Sequence, residues 1–138
     1  MATKQISVFL ENISGRLADV TRILATQGIN LRALTIADTA DFGILRLIVD
    51  DTDRAVSVLA KEGFTVRLTD VVALEVSDAP GALAQVMELF RTKGVNIEYL
   101  YSSLEKNSSK AAIILKVENL EHGLKIAQDN NLSLVDHL

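Results

Sequence analysis

One short pattern occurs twice in the chain and holds the residues best suited to bind a small polar ligand. It consists of an Asn or Asp, two residues, a Gly, one residue and a Leu, and it reads NISGRL at 12–17 and DAPGAL at 78–83. In each copy it follows a run typical of a strand and precedes a run with helical periodicity. The first N–H groups of a helix lack partners within the helix and lie at the positive end of its dipole. A ligand carboxylate would be stabilised there, and the Asn or Asp side chain could accept a hydrogen bond from an ammonium group.

The two copies differ at two positions that bear on binding. Asn12 is neutral whereas Asp78 is charged, and Pro80 removes an amide donor that Ser14 retains. We therefore expect the copies to differ in affinity, or one of them to be vestigial, and we place a ligand first of all at the first copy. Asn12 and Asp78 also suit a purely structural role as helix N-caps, each worth about 1 kcal/mol. The glycine of each copy could equally serve close packing of the helix on the sheet.

The patterns belong to a repeat that spans almost the whole chain. Residues 6–36 align with 72–102 at an offset of 66 residues, and later positions align at an offset of 68. Each half reads as strand, helix, strand, strand, helix and strand. The predicted strands are Ile6–Leu10, Ile29–Ile36, Gly43–Val49, Phe64–Leu68, Val71–Val76, Val95–Ser102, Ala111–Val117 and Leu132–Val135, and the second helix of each half is predicted at Thr52–Glu62 and at Leu120–Asn130.

This order predicts an α+β fold of two tandem ferredoxin-like βαββαβ modules, 1–69 and 70–138. Each module should place two helices on one face of an antiparallel sheet. No linker should separate the modules, because Arg67–Val71 is only a turn's worth of chain between the two strands. Turns at Thr39–Phe42 and Lys106–Lys110 should precede the third strand of each. Because a module of about 65 residues has a small core, we expect modules to pair, most simply in a homodimer.

A second asparagine lies at the same place in each half. Asn30 occurs in GINL and Asn96 in GVNI, each two residues after a glycine that suits a helix C-cap. Such an asparagine can contact a ligand or can satisfy a nearby backbone group. The predicted topology does not require it to lie near the first turn of its own module. We expect the two to meet most naturally across a paired unit.

Composition argues against several classes of function. Acidic residues number 18 and basic residues 14, and a net charge of -4 argues against binding of nucleic acid, which needs a basic surface. The absence of cysteine excludes thiolate metal sites and cysteine nucleophiles, and His122 and His137 are far apart in the sequence. The chain holds no nucleophile-elbow, phosphate-loop or metalloprotease motif, and its first residues form neither a signal peptide nor a membrane span. We expect no enzyme activity, no metal, no cofactor, no nucleic-acid or membrane partner, and a cytoplasmic location.

Other proteins with the βαββαβ order carry markers that this chain lacks. An RNA-recognition module has aromatic residues on its third strand, whereas those strands here read GILRLIV and AAIILKV. An acylphosphatase has an arginine-bearing phosphate loop in the first turn, where the two halves have Arg16 and Ala82. The order of elements alone therefore does not decide the function.

The combination of features resembles the ACT domain, a small regulatory module that binds amino acids. ACT domains have a strand, then [N/D]-x-x-G-x-L, a helix and then G-[I/V]-N-I, and this chain has ENISGRL with GINL and SDAPGAL with GVNI. The resemblance covers nearly the full chain, twice. It implies a free amino acid bound near the first turn, often where two modules meet, and contacted by the Asx side chain, by backbone amides around the glycine and by the second asparagine. The residues so implied are Asn12, Ile13, Ser14, Gly15, Arg16, Leu17, Asn30, Leu31, Asp78, Ala79, Gly81, Ala82, Leu83, Asn96 and Ile97.

The first half also resembles a more specific family. ISVFLENISGRL and GINLRALTIADTAD are similar to the first module of the small regulatory subunit of acetolactate synthase. The second half of that subunit is not an ACT module, whereas this chain repeats the pattern. The better match is therefore a free-standing tandem protein that senses an amino acid. The alternative is a regulatory subunit of acetolactate synthase, or of another enzyme of amino-acid metabolism.

Overall fold

The computed structural model describes residues 2–38, 41–104 and 110–135. The chain divides into two compact units: Lys4–Thr69 forms one, and Asp70–Leu138 together with Met1–Thr3 forms the other. A hydrogen bond from Thr3 Oγ1 to the carbonyl oxygen of Val135, at 3.3 Å, ties the start of the chain to the second unit.

The strands of the first unit lie in the order β2-β3-β1-β4, and the unit also contains two helices. Strand β3 pairs antiparallel with both β1 and β2. The elements are β1 (Thr3–Glu11), α1 (Arg16–Thr26), β2 (Leu31–Asp38), β3 (Phe42–Val49), α2 (Thr52–Lys61) and the first residues of β4 (Thr65–Ser77).

The second unit repeats this arrangement with β5-β6-β4, and β7 pairs with β4. Strand β6 pairs antiparallel with β4 and β5. Its elements are the last residues of β4, α3 (Ala82–Thr92), β5 (Ile97–Ser102), β6 (Lys110–Val117), α4 (Leu120–Asp129) and β7 (Ser133–Leu134). The predicted α+β fold of tandem ferredoxin-like modules is confirmed.

Each unit has its own apolar core between helices and sheet. In the first, Val8 of β1, Leu24 of α1 and Leu59 of α2 are buried in one cluster. In the second, Phe90 of α3 and Leu115 of β6 are buried in the equivalent cluster. The helices supply apolar residues at helical spacing and the strands supply alternate residues, so one face of each element is withdrawn from water.

The predicted division into two strands at Arg67–Val71 is wrong, because β4 runs without interruption from Thr65 to Ser77. This segment contains no Gly, Pro or Asn and is rich in Val and Thr, which favour extended backbone. One strand therefore serves as the last strand of the first unit and as the first strand of the second. The predicted turns before the third strands include residues 39–40 and 106–109, which lie outside the described residues.

The predicted glycine C-caps are confirmed. Gly28 and Gly94 have φ values of 69° and 74°, and Ile29 N–H donates to the carbonyl oxygen of Leu24 at 3.0 Å. This hydrogen bond closes the end of α1, as in a Schellman motif. The strands that follow begin at Leu31 and Ile97, two residues later than predicted, because the chain is still leaving the helix cap.

Candidate functional site

The first turn lies between the end of β1 at Glu11 and the start of α1 at Arg16. Its backbone is held by two hydrogen bonds, from Asn12 N–H to the Asp41 carbonyl oxygen at 2.9 Å and from Ile13 N–H to the Glu11 carbonyl oxygen at 2.8 Å. Residues 12–15, which form this turn, are exposed to solvent. The turn is therefore an ordered backbone segment that a small molecule can reach.

A left-handed glycine precedes the helix in both copies of the pattern. Gly15 has φ 92° and Gly81 has φ 87°, a region that residues with a Cβ rarely adopt. A Cβ added at either position would meet no atom within 4 Å. Close packing of helix on sheet therefore does not explain these glycines, and their conformation does.

The N-cap interpretation of Asn12 and Asp78 is wrong. Gly15 and Gly81 occupy the N-cap positions of α1 and α3, and neither helix has a side-chain capping hydrogen bond. By contrast, the side chain of Asp51 accepts from Arg54 N–H at the start of α2, and that of Asn119 accepts from His122 N–H at the start of α4. The two helices that follow the patterns are thus the two that no side chain caps.

Some of the predicted amide donors are already used within the turns. Ile13 N–H donates to Glu11 as described above, Arg16 N–H approaches the Ile13 carbonyl oxygen at 3.5 Å, and Ala82 N–H donates to the Ala79 carbonyl oxygen at 3.2 Å. Within the described part of the chain, no hydrogen bond satisfies the N–H groups of Ser14, Gly15 and Leu17. These three amides are the donors that a ligand carboxylate can use in the first copy.

The second asparagines lie elsewhere in their units. Asn30 follows the far end of α1, and eleven helical residues separate it from the first turn by about 16 Å along the helix axis. Its N–H donates to Asp50 Oδ1 at 3.0 Å and its carbonyl oxygen accepts from Asp50 N–H at 3.2 Å. The Asn96 carbonyl oxygen accepts from Glu118 N–H at 3.0 Å. Each asparagine thus positions the start of a strand, and its meeting with a first turn across a paired unit stays a prediction.

The remaining predicted residues divide between core and surface. Leu31 and Ile97 pack against the two apolar cores. Ile13 and Leu17 are 55% and 41% exposed, and Leu83 is 36% exposed. The exposed apolar side chains beside each first turn are therefore the ones available to a ligand. Asp78 and Ala79 are exposed as well.

A hollow beside the first turn brings in residues that the sequence pattern did not indicate. It has a volume of about 250 Å³ and lies entirely among residues of the first unit. Of the predicted residues only Arg16 lines it; Phe9, Glu11, Phe42 and Phe64 are among its other lining residues. The only feature of the sequence that could have indicated this hollow was the presence of aromatic residues in β1 and β3. The strand pattern gave these residues no role.

Among residues 2–38, 41–104 and 110–135, no group of three or more His, Cys, Asp or Glu side chains is placed to hold a metal ion. No helix in the same ranges is long and apolar enough to cross a membrane.

Comparison with known proteins identifies the family. The family model described as an ACT domain pair matches residues 1–138. A crystal structure of protein BT0572 from Bacteroides thetaiotaomicron is 44% identical with a TM-score of 0.92, covering 98% of this chain and 92% of that one. No curated protein matches the chain.

Two more distant structures share the fold. The regulatory subunit of aspartate kinase from Thermus thermophilus, in a ligand-free form, is 18% identical with a TM-score of 0.67, covering 91% of this chain and 90% of that one. The regulatory subunit of aspartate kinase from Thermus flavus is 20% identical with a TM-score of 0.60 at the same coverage. The repeated pattern, the two βαββαβ units and the match over the full length agree, and the chain belongs to the ACT domain pair family.

Proposed function

We propose that this chain is a non-catalytic regulatory protein that binds a free α-amino acid at the first turn of its first repeat. The observation that carries the proposal is the contrast among the four helices that the described residues form. Asp51 and Asn119 cap α2 and α4, whereas α1 and α3, the helices that follow the Asx-x-x-Gly pattern, have no side-chain cap. A ligand carboxylate at the start of α1 would supply the missing acceptor.

The geometry of the first turn suits both ends of an amino acid. The N–H groups of Ser14, Gly15 and Leu17 would donate to the ligand carboxylate, where the helix dipole also favours negative charge. The Asn12 side-chain oxygen would accept from the ammonium group, as a charge-assisted hydrogen bond. In the second repeat Pro80 has no N–H to offer, so that turn is the weaker site or has no ligand.

Regulation would follow from the difference in ligand affinity between two arrangements of the protein. A ligand shifts an equilibrium only as far as it binds one arrangement more tightly than the other. We propose that the chain forms a homodimer in the cytoplasm and that an enzyme of amino-acid metabolism responds to the liganded arrangement. Acetolactate synthase is the alternative partner, because the first repeat resembles its small regulatory subunit. Co-purification with a large thiamine-dependent subunit would favour that alternative.

Replacing Asn12 tests the position of the ligand. Asn12→Ala should weaken binding by about 1–3 kcal/mol, because the ammonium group loses a charge-assisted partner. Asn12→Ser, which shortens the reach to the ligand, should also weaken it. Titration calorimetry on the purified full chain measures both changes.

Asp78→Ala is the matched control at the second turn and should leave binding at the first turn unchanged. The site is misplaced if both Asn12 variants bind the amino acid as the unmodified chain does. It is also misplaced if Asp78→Ala alone reduces affinity.

A further inference from the structure

The hollow beside the first turn leaves two aromatic rings in contact with water. Phe9 is 37% exposed and Phe42 is 56% exposed, and both line the hollow together with Phe64. In the β1–β3 ladder Phe42 lies opposite Glu11, so Phe9 is its diagonal neighbour on the same face of the sheet. Exposed apolar surface inside a concave site commonly marks where a ligand binds.

The charges of the hollow complement a zwitterion. Arg16, Glu11 and Glu62 line it alongside the three phenylalanines. Among the described residues Arg16 forms one long ion pair, with Asp19 at 3.8 Å, and both side chains are about two-fifths exposed. This weak pair leaves its guanidinium group able to bind a carboxylate. Glu11 and Glu62 favour a ligand that also carries a positive group.

The second repeat replaces nearly every one of these residues. The ladder pair Glu11–Phe42 is matched there by Ser77–Lys110, which fixes the correspondence of the strands. The residues equivalent to Phe9, Arg16 and Phe64 are Glu75, Ala82 and Leu132.

An ion pair stands in the second repeat where the first has its aromatic pair. Lys110 Nζ lies 3.1 Å from Glu75 Oε1, at the positions that Phe42 and Phe9 occupy in the first repeat. In the second repeat, a ligand side chain at these two positions would bury the charges of Lys110 and Glu75 instead of packing on two phenylalanine rings. The exposed pair of phenylalanine rings is thus present in the first repeat and replaced by charged residues at the equivalent positions of the second.

We infer that the ligand of the first repeat is an α-amino acid with a large apolar side chain, which packs against Phe9 and Phe42 while Arg16 joins the amides of the first turn in binding its carboxylate. This rests on the proposed function, because it identifies the class of amino acid taken by the same site. The volume of about 250 Å³ is below that of pockets for drug-sized molecules and suits a single amino acid. The second repeat binds no such ligand.

Titration calorimetry of the full chain with L-phenylalanine, L-leucine, L-alanine and L-glutamate tests the inference. We expect phenylalanine or leucine to bind about tenfold or more tightly than alanine and glutamate, because burial of a large apolar side chain is worth more than a tenfold change in affinity. Phe42→Ala should remove most of this preference, and Phe42→Leu should restore much of it. Lys110→Ala, at the equivalent position of the second repeat, should change nothing.

The outcomes separate this inference from the proposed function. If alanine or glutamate binds as tightly as phenylalanine and leucine, or if Phe42→Ala leaves the preference intact, the inference is overturned while amino-acid binding stands. If Arg16→Gln leaves the affinity of the apolar amino acids unchanged, the hollow is not the site. If none of the four binds and an amino acid without a large apolar side chain does, the class is wrong. If no amino acid binds at all, the proposed function fails with it.

Discussion

Phe90→Ala should lower the free energy of unfolding by about 3–5 kcal/mol, the range for loss of a buried aromatic ring. Phe90 is 0% exposed and lies in the second core with Leu115 and Ile126. The removed ring would leave a cavity that the helix and sheet can only partly close. Because the whole free energy of unfolding of a small domain is 5–15 kcal/mol, a change of this size should be plain in urea denaturation followed by circular dichroism.

Glu88→Ala on the same helix is the control for that substitution. Glu88 forms an ion pair with Arg91, and both side chains are largely exposed, 58% and 77% respectively. Exposed ion pairs contribute about 0–1 kcal/mol, so this variant should unfold nearly as the unmodified chain does. A loss below about 1 kcal/mol for Phe90→Ala would contradict the described core.

Gly15→Val should both destabilise the chain and abolish ligand binding. A β-branched residue is strained at φ 92°, at a cost of about 1–3 kcal/mol. If the backbone relaxes to negative φ, the amides of Gly15 and Leu17 turn away from the ligand carboxylate. Stabilisation by ligand, about 2.7 kcal/mol at 100 times its dissociation constant, should then disappear. Thermal unfolding with and without the amino acid measures both effects.

Gly81→Val is the matched control, because Gly81 has φ 87° and equally empty surroundings. It should lose similar stability yet keep the rise in melting temperature that the ligand produces. If both variants lose the ligand-induced rise in melting temperature to the same extent, the first turn has no special role in ligand binding. Its survival in Gly15→Val would place the ligand elsewhere.

Much of the fold could be predicted because each element occurs in both halves of the sequence, so each prediction rests on two independent stretches of residues. Val20 and Leu24 of α1 correspond to Val86 and Phe90 of α3, and all four are buried. A single apolar residue at helical spacing is weak evidence, but the same spacing after a turn and before a glycine in both halves is strong. The continuous strand β4 was missed because the repeat suggested a boundary in a segment that contains no Gly, Pro or Asn and is rich in Val and Thr.

The site was harder to predict than the fold. The pattern located the first turn correctly, but spacing alone could not show whether Asn12 caps the helix, since that depends on where the helix begins. The structure starts α1 at Arg16, four residues beyond Asn12. Phe9, Phe42 and Phe64 are far apart in the sequence, and periodicity does not reveal that two of them stay exposed around one hollow.

The most direct test of the central claim is calorimetric titration of the purified full chain with each of the twenty amino acids. Measurement at two temperatures is needed, because burial of apolar surface changes the heat of binding with temperature and can bring it to zero at one of them. The account predicts saturable binding of at least one amino acid, with one ligand per chain and weaker binding by Asn12→Ala. Absence of saturable heat for all twenty amino acids at both temperatures would contradict it.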